Sequence, residues 1–453
     1  MSLKPQFVTF SERGLKSPAA ARRLVRVAYR AWREGRQTIA LIRTTMREIE
    51  TIIAGFTDIG IPTTTLTPAA VVSRPARHVR EALAAGAGVV VLPLSGGPYW
   101  QEQVVGALRY SLDLPAPRDL DRDGAGGLDA PAPAAPVKVA LLGCGAVGSA
   151  VLAALLDEPR HVAVAAVMAR DLARHRARFP GVRFVRTLDE LAAASPDIFI
   201  DLGSREAPSE EAMRRFLTAG VPVITANKQV LAASFDALRD AARRGSAALL
   251  HSAAVGGSAP VLELARRLAG DGITAVSGIV NGTVNFVLSR LADGASFEEA
   301  LDAARAAGLA EADPSDDLEG HDAAAKAVLV AHAAFGQAPD AAPGRETLGE
   351  ALARLPDAVR AGRVKQVTEV RRTPDGRIEA SVRFLALPDG HALLRCRDAE
   401  NAAEVRLADG SRHAVFGLGA GGVPTAAAVL ADLEDLLIAR AGAAAAPRAV
   451  ANG

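Results

Sequence analysis

Cysteine, net charge and long apolar runs are all scarce in this sequence, and each scarcity argues against a class of protein. The two cysteines, Cys144 and Cys396, cannot form a disulfide framework, and neither belongs to a CxxC or histidine-rich metal motif. The 52 basic and 51 acidic residues leave a net charge of +1, which argues against nucleic acid or an anionic membrane as a partner. No apolar run reaches the ~18 residues that span a bilayer, and the N-terminus lacks the apolar core of a secretion signal. These features predict a cytoplasmic protein.

Lysine is scarce as well, although basic residues are not. Only six of the 52 basic side chains are lysine, and the other 46 are arginine. A buried ammonium can be tuned to lose its proton, whereas a guanidinium stays charged. A lysine retained in an arginine-rich chain therefore marks a candidate proton donor, and Lys228 and Lys326 are the candidates that lie in polar motifs.

The length of 453 residues predicts two or three domains. Residues 17–35 carry apolar side chains at helical spacing, and the apolar runs 38–42 and 88–94 are typical of buried strands. A proline-rich stretch then predicts a linker, and an alanine-rich end predicts a disordered tail. The predicted boundaries are 1–113 for a small α/β module, 114–136 for the linker and 441–453 for the tail.

From Val137 onward, short apolar strands alternate with helical segments, which predicts a parallel, doubly wound sheet with right-handed crossovers. Farther along, longer helical stretches precede segments of alternating polarity, which predict an α+β domain. A last helix is predicted over 424–440. The sequence thus predicts an α/β protein with a parallel-sheet domain over 137–277, completed by 415–440, and a second domain over 278–414.

A glycine turn joins the first of these strands to its helix. It reads Gly143-Cys144-Gly145-Ala146-Val147-Gly148, in the strand–turn–helix context that favours dinucleotide binding. The first glycine permits the tight turn, the second lets the backbone approach a pyrophosphate, and the third brings helix and strand together. The alternative is a tight turn that binds no ligand.

The choice between the two nicotinamide dinucleotides depends on the end of the second strand, which reads Met168-Ala169-Arg170-Asp171. Arg170 could pair with the extra phosphate of NADP(H), which favours that cofactor. Asp171 could instead bind the ribose hydroxyls of NAD(H), which keeps NAD(H) open as the alternative.

The densest polar segment of the chain covers residues 311–326. Asp322 and Lys326 are four residues apart at the start of an apolar helix, so they share one face. A partly desolvated lysine has a lowered pKa and can give a proton to a carbonyl oxygen as a hydride arrives. The alternative is an exposed helix pair that follows a solvated acidic loop.

Together these motifs resemble those of the homoserine dehydrogenase family, in the family's order and over about residues 137–440. Six segments carry the resemblance: GCGAVG at 143–148, ANKQVL at 226–231, HSAAVGGSAPVLE at 251–263, GIVNGTVNFVLSRL at 278–291, GLAEADPSDDLEGHDAAAKAVLVA at 308–331 and GLGAGGVPTAAAVLADL at 417–433.

The resemblance implies a Rossmann nucleotide domain, a substrate-binding and dimerisation domain, and a homodimer or homotetramer. It implies NAD(P)-dependent interconversion of L-homoserine and the small-molecule substrate L-aspartate 4-semialdehyde, on the route to threonine and methionine. Two alternatives stay open: a cofactor-binding pseudoenzyme, and a dehydrogenase for a related amino-acid aldehyde.

The resemblance also implies roles for individual residues. Lys326 would donate the proton to the aldehyde oxygen, Asp322 would assist it and orient the substrate, and Lys228 would lie by the nicotinamide and the reacting oxygen. The remaining roles would be substrate binding by Glu311, Asp317 and Thr283, and cofactor binding by Ser204 and Gly421.

Two departures from the family pattern qualify these implications. The family commonly has a glutamate after the position of His251, where it helps to hold a monovalent cation, and this chain has Ser252. The carbonyls that could still bind Na⁺ are those of Val255, Gly257 and Ala259. Many members also append a C-terminal ligand-sensing domain, and since the chain ends 13 residues past Arg440, we expect no threonine feedback through one.

The first ~113 residues faintly resemble a truncated, degenerate aspartokinase. The glycine-rich phosphate loop and its lysine are absent, because Thr9-Phe10-Ser11-Glu12-Arg13 stands where they would be. We therefore predict no kinase activity in this segment and expect a docking or oligomerisation role.

Overall fold

A computed structural model of the chain describes most of its C-terminal three quarters and parts of its N-terminal quarter. The described residues are 6–11, 18–34, 36–43, 56, 61, 63–65, 79, 82, 89–93, 118–119, 135–157, 161–204, 207–257, 259–311, 313–419 and 422–445. Among them, no helix is both long enough and apolar enough to cross a lipid bilayer.

The N-terminal sheet has five parallel strands in the order β3-β4-β2-β1-β5. The predicted helix lies beside it as α1 (Pro18–Arg33), and the strands are β1 (Gln6–Ser11), β2 (Thr38–Arg43), β3 (Thr63–Thr65), β4 (Val89–Pro93) and β5 (Arg118–Asp119). Strand β5 pairs with β1 although we predicted a linker over 114–136, so this sheet extends past residue 113. The two residues that pair with β1, Arg118 and Asp119, are not prolines, so they can form the backbone hydrogen bonds of a short edge strand.

The second sheet has six parallel strands in the order β11-β10-β9-β6-β7-β8, which confirms the predicted doubly wound fold. Its strands are β6 (Val137–Leu142), β7 (Val162–Met168), β8 (Phe184–Val185), β9 (Ile198–Asp201), β10 (Val223–Thr225) and β11 (Leu249–Leu250). Its helices are α2 (Ala146–Leu156), α3 (Leu172–Arg178), α4 (Leu188–Ala192), α5 (Ser209–Thr218), α6 (Lys228–Gly245) and α7 (Val261–Leu268). Strand order reverses at β6, and ligands of such sheets bind beyond the strand ends at that point.

The third sheet is antiparallel except at one edge and has the order β13-β15-β14-β12-β16-β17. Its strands are β12 (Ile273–Ile279), β13 (Gly344–Arg345), β14 (Val364–Arg372), β15 (Ile378–Ala386), β16 (Glu400–Leu407) and β17 (Arg412–Leu418). Its helices are α8 (Gly282–Ala292), α9 (Phe297–Ala306), α10 (Ser315–Leu318), α11 (His321–Phe335), α12 (Leu348–Arg354) and α13 (Pro356–Arg360). Because β12 begins at Ile273, this sheet starts before the boundary predicted at residue 278.

The last helix, α14 (Gly422–Ala445), returns from the third sheet to the nucleotide domain. Its buried Val429 and Leu433 share one core with Val151 and Leu152 of α2. We predicted a helix over 424–440 and a disordered tail from 441, but the helix continues through Ala445. The extra residues are mostly alanine, which has the highest intrinsic helix propensity.

Candidate active site

The glycine turn after β6 is tightly packed at its two outer glycines and open at its middle one. Gly143 has φ +96°, and a Cβ added there would lie 2.3 Å from the carbonyl oxygen of Leu202. A Cβ at Gly148 would lie 2.3 Å from the carbonyl oxygen of Gly143. A Cβ at Gly145 would have no atom within 4 Å. The middle position therefore has room for a ligand that approaches the backbone.

Helix α2 begins directly beside this open space. Its N-cap residue, Gly145, has no side chain to cap the helix, and Gly145 and Ala146 are both exposed. Val147, in the first turn, is partly exposed. The first N–H groups of a helix and its dipole favour an anion at that end. The turn therefore fits the diphosphate of a dinucleotide.

The end of β7 places two residues of opposite charge at the edge of the sheet. Arg170 is exposed. The carboxylate of Asp171 caps helix α3 by accepting a hydrogen bond from the backbone N–H of Arg174 at 3.0 Å. The acidic side chain is thus engaged in a local structural role.

A buried aspartate at the end of β9 was not singled out in the sequence. Asp201 is fully buried and accepts hydrogen bonds from the backbone N–H of Gly203 at 3.1 Å and from two hydroxyls, those of Ser209 at 2.8 Å and Thr225 at 2.9 Å. The hydroxyl of Thr225 in turn accepts from the N–H of Asn227, the cap of helix α6. Asp201 therefore holds the loop that leads to the exposed Ser204 and the start of the helix at Lys228.

We expect Asp201→Ala to lower the free energy of unfolding by about 3 kcal/mol, because two buried hydroxyls and one partly buried N–H lose their acceptor. Urea titration at pH 7 measures the change. As a control, Asp189→Ala removes an aspartate that is 86% exposed in its pair with Arg215, and a loss below about 1 kcal/mol is expected. Equal losses in the two variants would contradict the role of Asp201.

The centre of the site is a carboxylate held between two ammonium groups. One oxygen of Asp322 lies 2.6 Å from Nζ of Lys326, and its other oxygen lies 2.7 Å from Nζ of Lys228. Lys326 also donates a hydrogen bond to the carbonyl oxygen of Val280 at 2.6 Å. Asp322 and Lys326 lie on α11, whereas Lys228 begins α6, so the cluster joins the second and third sheets.

Asn281 completes this cluster, and the sequence analysis did not identify it. Its side-chain oxygen caps helix α8 by accepting from the N–H of Val284. Its side-chain nitrogen donates to Asp317 at 2.8 Å and to Asp322 at 3.2 Å. The available signal was an asparagine between an apolar strand and a helix, within the segment 278–291 that carries the family resemblance.

Burial and charge set the proton affinities of the cluster. Burial lowers the pKa of Lys326 below its ordinary value, although the charge of Asp322 opposes the shift. Burial alone would raise the pKa of Asp322, but the two ammonium groups outweigh it and bring that pKa to about 2. The charge of Asp322 raises the pKa of Lys228, whose side chain is 36% exposed, and burial raises the pKa of Asp317.

The other predicted substrate residues lie around this cluster. Thr283 is buried, and its hydroxyl donates to the carbonyl oxygen of Leu309 at 2.8 Å, so it holds the loop before α10. Glu311, on that loop, is exposed, and its charge contributes to the raised pKa of Lys228. Gly421 lies outside the described residues.

The carbonyls predicted to bind Na⁺ lie in a buried loop after β11, and the prediction of a cation there stays a prediction. Val255, Gly257 and Ala259 are buried, and the carbonyl of Ala259 already accepts from the N–H of Val261 at 2.8 Å. The hydroxyl of Ser252, near this loop, accepts a hydrogen bond from the guanidinium of Arg33 at 2.8 Å. Among the described residues, no group of three or more histidine, cysteine or acidic side chains could hold a metal ion.

Comparison with known proteins identifies the family. The profile described as homoserine dehydrogenase matches residues 260–433, and the profile for the NAD-binding domain of homoserine dehydrogenase matches residues 143–252. The homoserine dehydrogenase of Mycobacterium leprae (strain TN) is 37% identical over 317 residues, which cover 66% of this chain and 71% of that protein. The chain belongs to the homoserine dehydrogenase family.

Solved structures of the family share the fold. The homoserine dehydrogenase of Thiobacillus denitrificans has a TM-score of 0.62 and 31% identity, and the match covers 68% of this chain and 74% of that one. A hyperthermophilic archaeal homoserine dehydrogenase in complex with NADPH has a TM-score of 0.58 and 23% identity, covering 66% of this chain and 96% of that one.

Membership of this family establishes the class of reaction. The chain is an NAD(P)-dependent oxidoreductase that interconverts L-homoserine and L-aspartate 4-semialdehyde, a step of amino-acid biosynthesis. Its nucleotide domain contains the glycine turn described above.

Proposed function

We propose that Lys326 donates the proton in this reaction. The single observation that carries the proposal is its position: a buried ammonium between Asp322 and Val280, at the junction of the two sheets. An ammonium has three N–H groups. Two are engaged by these partners, which leaves one for a substrate oxygen.

In the direction of reduction, Lys326 gives its proton to the aldehyde oxygen, and the product is an alcohol. A bound nicotinamide cofactor supplies the hydride for this direction. Burial lowers the pKa of Lys326 and so makes the ammonium a better acid. Asp322 holds the charged form in place until the transfer, and Lys228 on its other oxygen keeps Asp322 ionised.

We propose that Glu311 and Asp317 bind the amino and hydroxyl groups of the substrate. Asn281 orients Asp317 and also contacts Asp322, so it fixes the spacing between these two carboxylates. The carboxylates of Asp317 and Glu311 together favour a cationic amino group beside them. Thr283 supports this arrangement through the loop that carries Glu311.

We assign the cofactor to the glycine turn, with Gly143 and Gly148 shaping the backbone and Gly145, Ala146 and Val147 next to the diphosphate. Ser204 and Gly421 are proposed neighbours of the same cofactor. NADP(H) is the favoured form, since the guanidinium of Arg170 lies at the end of β7, where it can pair with the extra phosphate of that cofactor.

Arg170→Ala is expected to reduce kcat/KM for NADP⁺ about tenfold and to change that for NAD⁺ less than twofold, because an exposed arginine–phosphate contact contributes about 1–2 kcal/mol. Steady-state kinetics with both cofactors measures the ratio. Arg174→Ala, on the first turn of the next helix, is the matched control and should leave the ratio unchanged. An equal loss with both cofactors would contradict the assignment.

We also propose a homodimer or homotetramer, with the substrate domain, which contains the third sheet from β12 onward, providing the interface. The nucleotide domain is assigned to the second sheet with its helices, completed by α14. The N-terminal segment, which faintly resembles a degenerate aspartokinase, precedes both family matches, and we propose for it a docking or oligomerisation role without kinase activity.

Steady-state oxidation of L-homoserine with NADP⁺ and NAD⁺, each with and without Na⁺ or K⁺, tests the proposal. We expect turnover with a preference for NADP⁺. Cofactor binding without turnover would identify a pseudoenzyme, and a higher kcat/KM for another amino-acid aldehyde would overturn the substrate assignment.

A further inference from the structure

An arginine of the N-terminal segment is buried inside the catalytic part of the chain. Arg33, the last residue of α1, is only 7% exposed. Its guanidinium donates to a carboxylate oxygen of Asp432 at 2.6 Å, to the hydroxyl of Ser252 at 2.8 Å and to a carboxylate oxygen of Glu263 at 3.1 Å. These three partners lie on α14, on the segment after β11 and on α7.

The pocket that receives this guanidinium is anionic. Asp432 is 1% exposed, and the second carboxylate oxygen of Glu263 is buried without a hydrogen-bond partner among the described residues. Asp435, one turn along α14, lies 3.5 Å from Arg33. Buried carboxylates that lack a cation are strongly unfavourable, and a planar guanidinium can bridge several of them at once where a point charge cannot.

The same contacts are linked to the cofactor turn through α14. The other oxygen of Asp432 accepts from the backbone N–H of Ser252 at 3.0 Å, so Arg33 ties the segment 252–257 to α14. Helix α14 begins at Gly422, where an added Cβ would lie 3.5 Å from the main chain of Ala146. A displacement of α14 would therefore also displace the start of α2, where we expect the diphosphate of the cofactor to bind.

We propose that Arg33 is a positioning residue for cofactor binding. It serves as a built-in cation that holds α14 and the segment 252–257 in the arrangement that the cofactor turn needs. Through Arg33, the N-terminal segment thus also contributes to cofactor binding, in addition to the role proposed for it above. The inference rests on cofactor binding at the glycine turn, and it is independent of the roles assigned to the two lysines.

The test uses the full-length chain with Arg33→Ala and measures the Kd of NADPH by its fluorescence. We expect Kd to rise at least about tenfold, because only a fraction of the variant keeps the competent arrangement. The kcat at saturating cofactor should stay within about threefold of the wild type by the same argument. Millimolar guanidinium should restore the Kd, because a cleft lined by Arg30, Glu34, Glu263, Arg267 and Asp435 opens onto the pocket.

The matched control is Arg36→Ala, since Arg36 pairs with Glu34 near the surface, and its Kd should equal that of the wild type. An equal concentration of NaCl should not rescue Arg33→Ala. If guanidinium and Na⁺ rescue equally, the pocket needs only a charge and the proposal of a bridging guanidinium is wrong. A lower Tm with an unchanged Kd would show that Arg33 is only a structural contact, and this result would also overturn the proposal.

If Arg33→Ala does not fold, Ser252→Ala decides the question. This variant removes one acceptor of the guanidinium while the carboxylates stay paired. We expect a rise in Kd of about twofold to fivefold with kcat unchanged, since a single neutral acceptor is lost. A wild-type Kd in this variant would count against the proposal. Failure of homoserine turnover with a normal Kd would instead concern the proposed function alone.

Discussion

Lys326→Ala is expected to reduce kcat about 10²–10⁴-fold, the range that positioned acid catalysis supplies, while the Kd of NADPH stays within about threefold of the wild type. The truncation removes the buried ammonium that faces the junction of the two sheets, but it leaves the glycine turn untouched. Single-turnover reduction of the aldehyde, followed by NADPH absorbance, measures the chemical step directly.

Two further variants separate acid catalysis from packing and charge. Lys326→Arg keeps the charge, but a guanidinium does not release its proton, so it should remain at least about a hundredfold impaired. Lys138→Ala removes an exposed lysine of β6 and should behave as the wild type. Near-normal turnover in Lys326→Ala or in Lys326→Arg would refute the proposed donor.

The lowered pKa of Lys326 fixes the direction of the pH dependence. Reduction needs the ammonium, so its rate should fall as pH rises through that pKa, below the ordinary 10.5 of lysine. Oxidation of homoserine needs the neutral amine, so its rate should rise over the same interval.

The lowered pKa of Lys326 also affects folding stability. Burying the charged ammonium lowers the free energy of unfolding at neutral pH, and this cost is relieved as pH rises toward 10.5.

Asp322→Asn is expected to have the second largest effect, because one carboxylate serves both lysines. The loss leaves Lys326 buried without a counter-ion, which should lower the free energy of unfolding by about 3 kcal/mol. Lys228 adds little to that loss, since its side chain is 36% exposed and solvent screens it. We also expect kcat/KM to fall about a hundredfold. The decrease in the reduction rate with rising pH should occur at a lower pH than in the wild type.

The loss of folding stability at acidic pH gives a separate test of Asp322. The folded pKa of Asp322 is about 2 and its ordinary value is 3.8, so its stabilisation is fully present above pH 4 and is lost as pH falls through about 2. Urea titrations between pH 7 and pH 2 should show this loss in the wild type and not in Asp322→Asn. Asp302→Asn, an exposed aspartate of α9, is the control, and if both variants retain the loss, Asp322 is not its source.

Local sequence patterns were enough to predict the sheet and part of the site. The glycine turn and the alternation of strands and helices depend on nearby residues, and Asp322 and Lys326 share a face because they are one helical turn apart. Strands of two residues, such as β5 and β8, carry too little pattern to be predicted. The tail helix was missed because its alanine-rich sequence is equally typical of disorder.

Contacts between distant residues account for what the sequence did not reveal. Asn281 contacts Asp317 across 36 residues and Asp322 across 41, so its role depends on how the start of α8 packs against α10 and the first turn of α11. In the sequence, Asp201 is one polar residue at the end of a strand. Its role becomes visible only in the fold, where the hydroxyls of Ser209 and Thr225 donate hydrogen bonds to it. Position on the fold, rather than residue type, makes these side chains important.

The pairing of Arg33 with Asp432 also has a consequence for biosynthesis on the ribosome. The two residues are separated by 399 positions, so at about 5–20 residues per second helix α1 emerges ~20–80 s before its partner helix exists. The nucleotide domain likewise cannot complete its core until α14 is made. The final assembly of the nucleotide domain therefore waits for α14, and nascent chains halted before residue 422 should stay sensitive to protease in that domain.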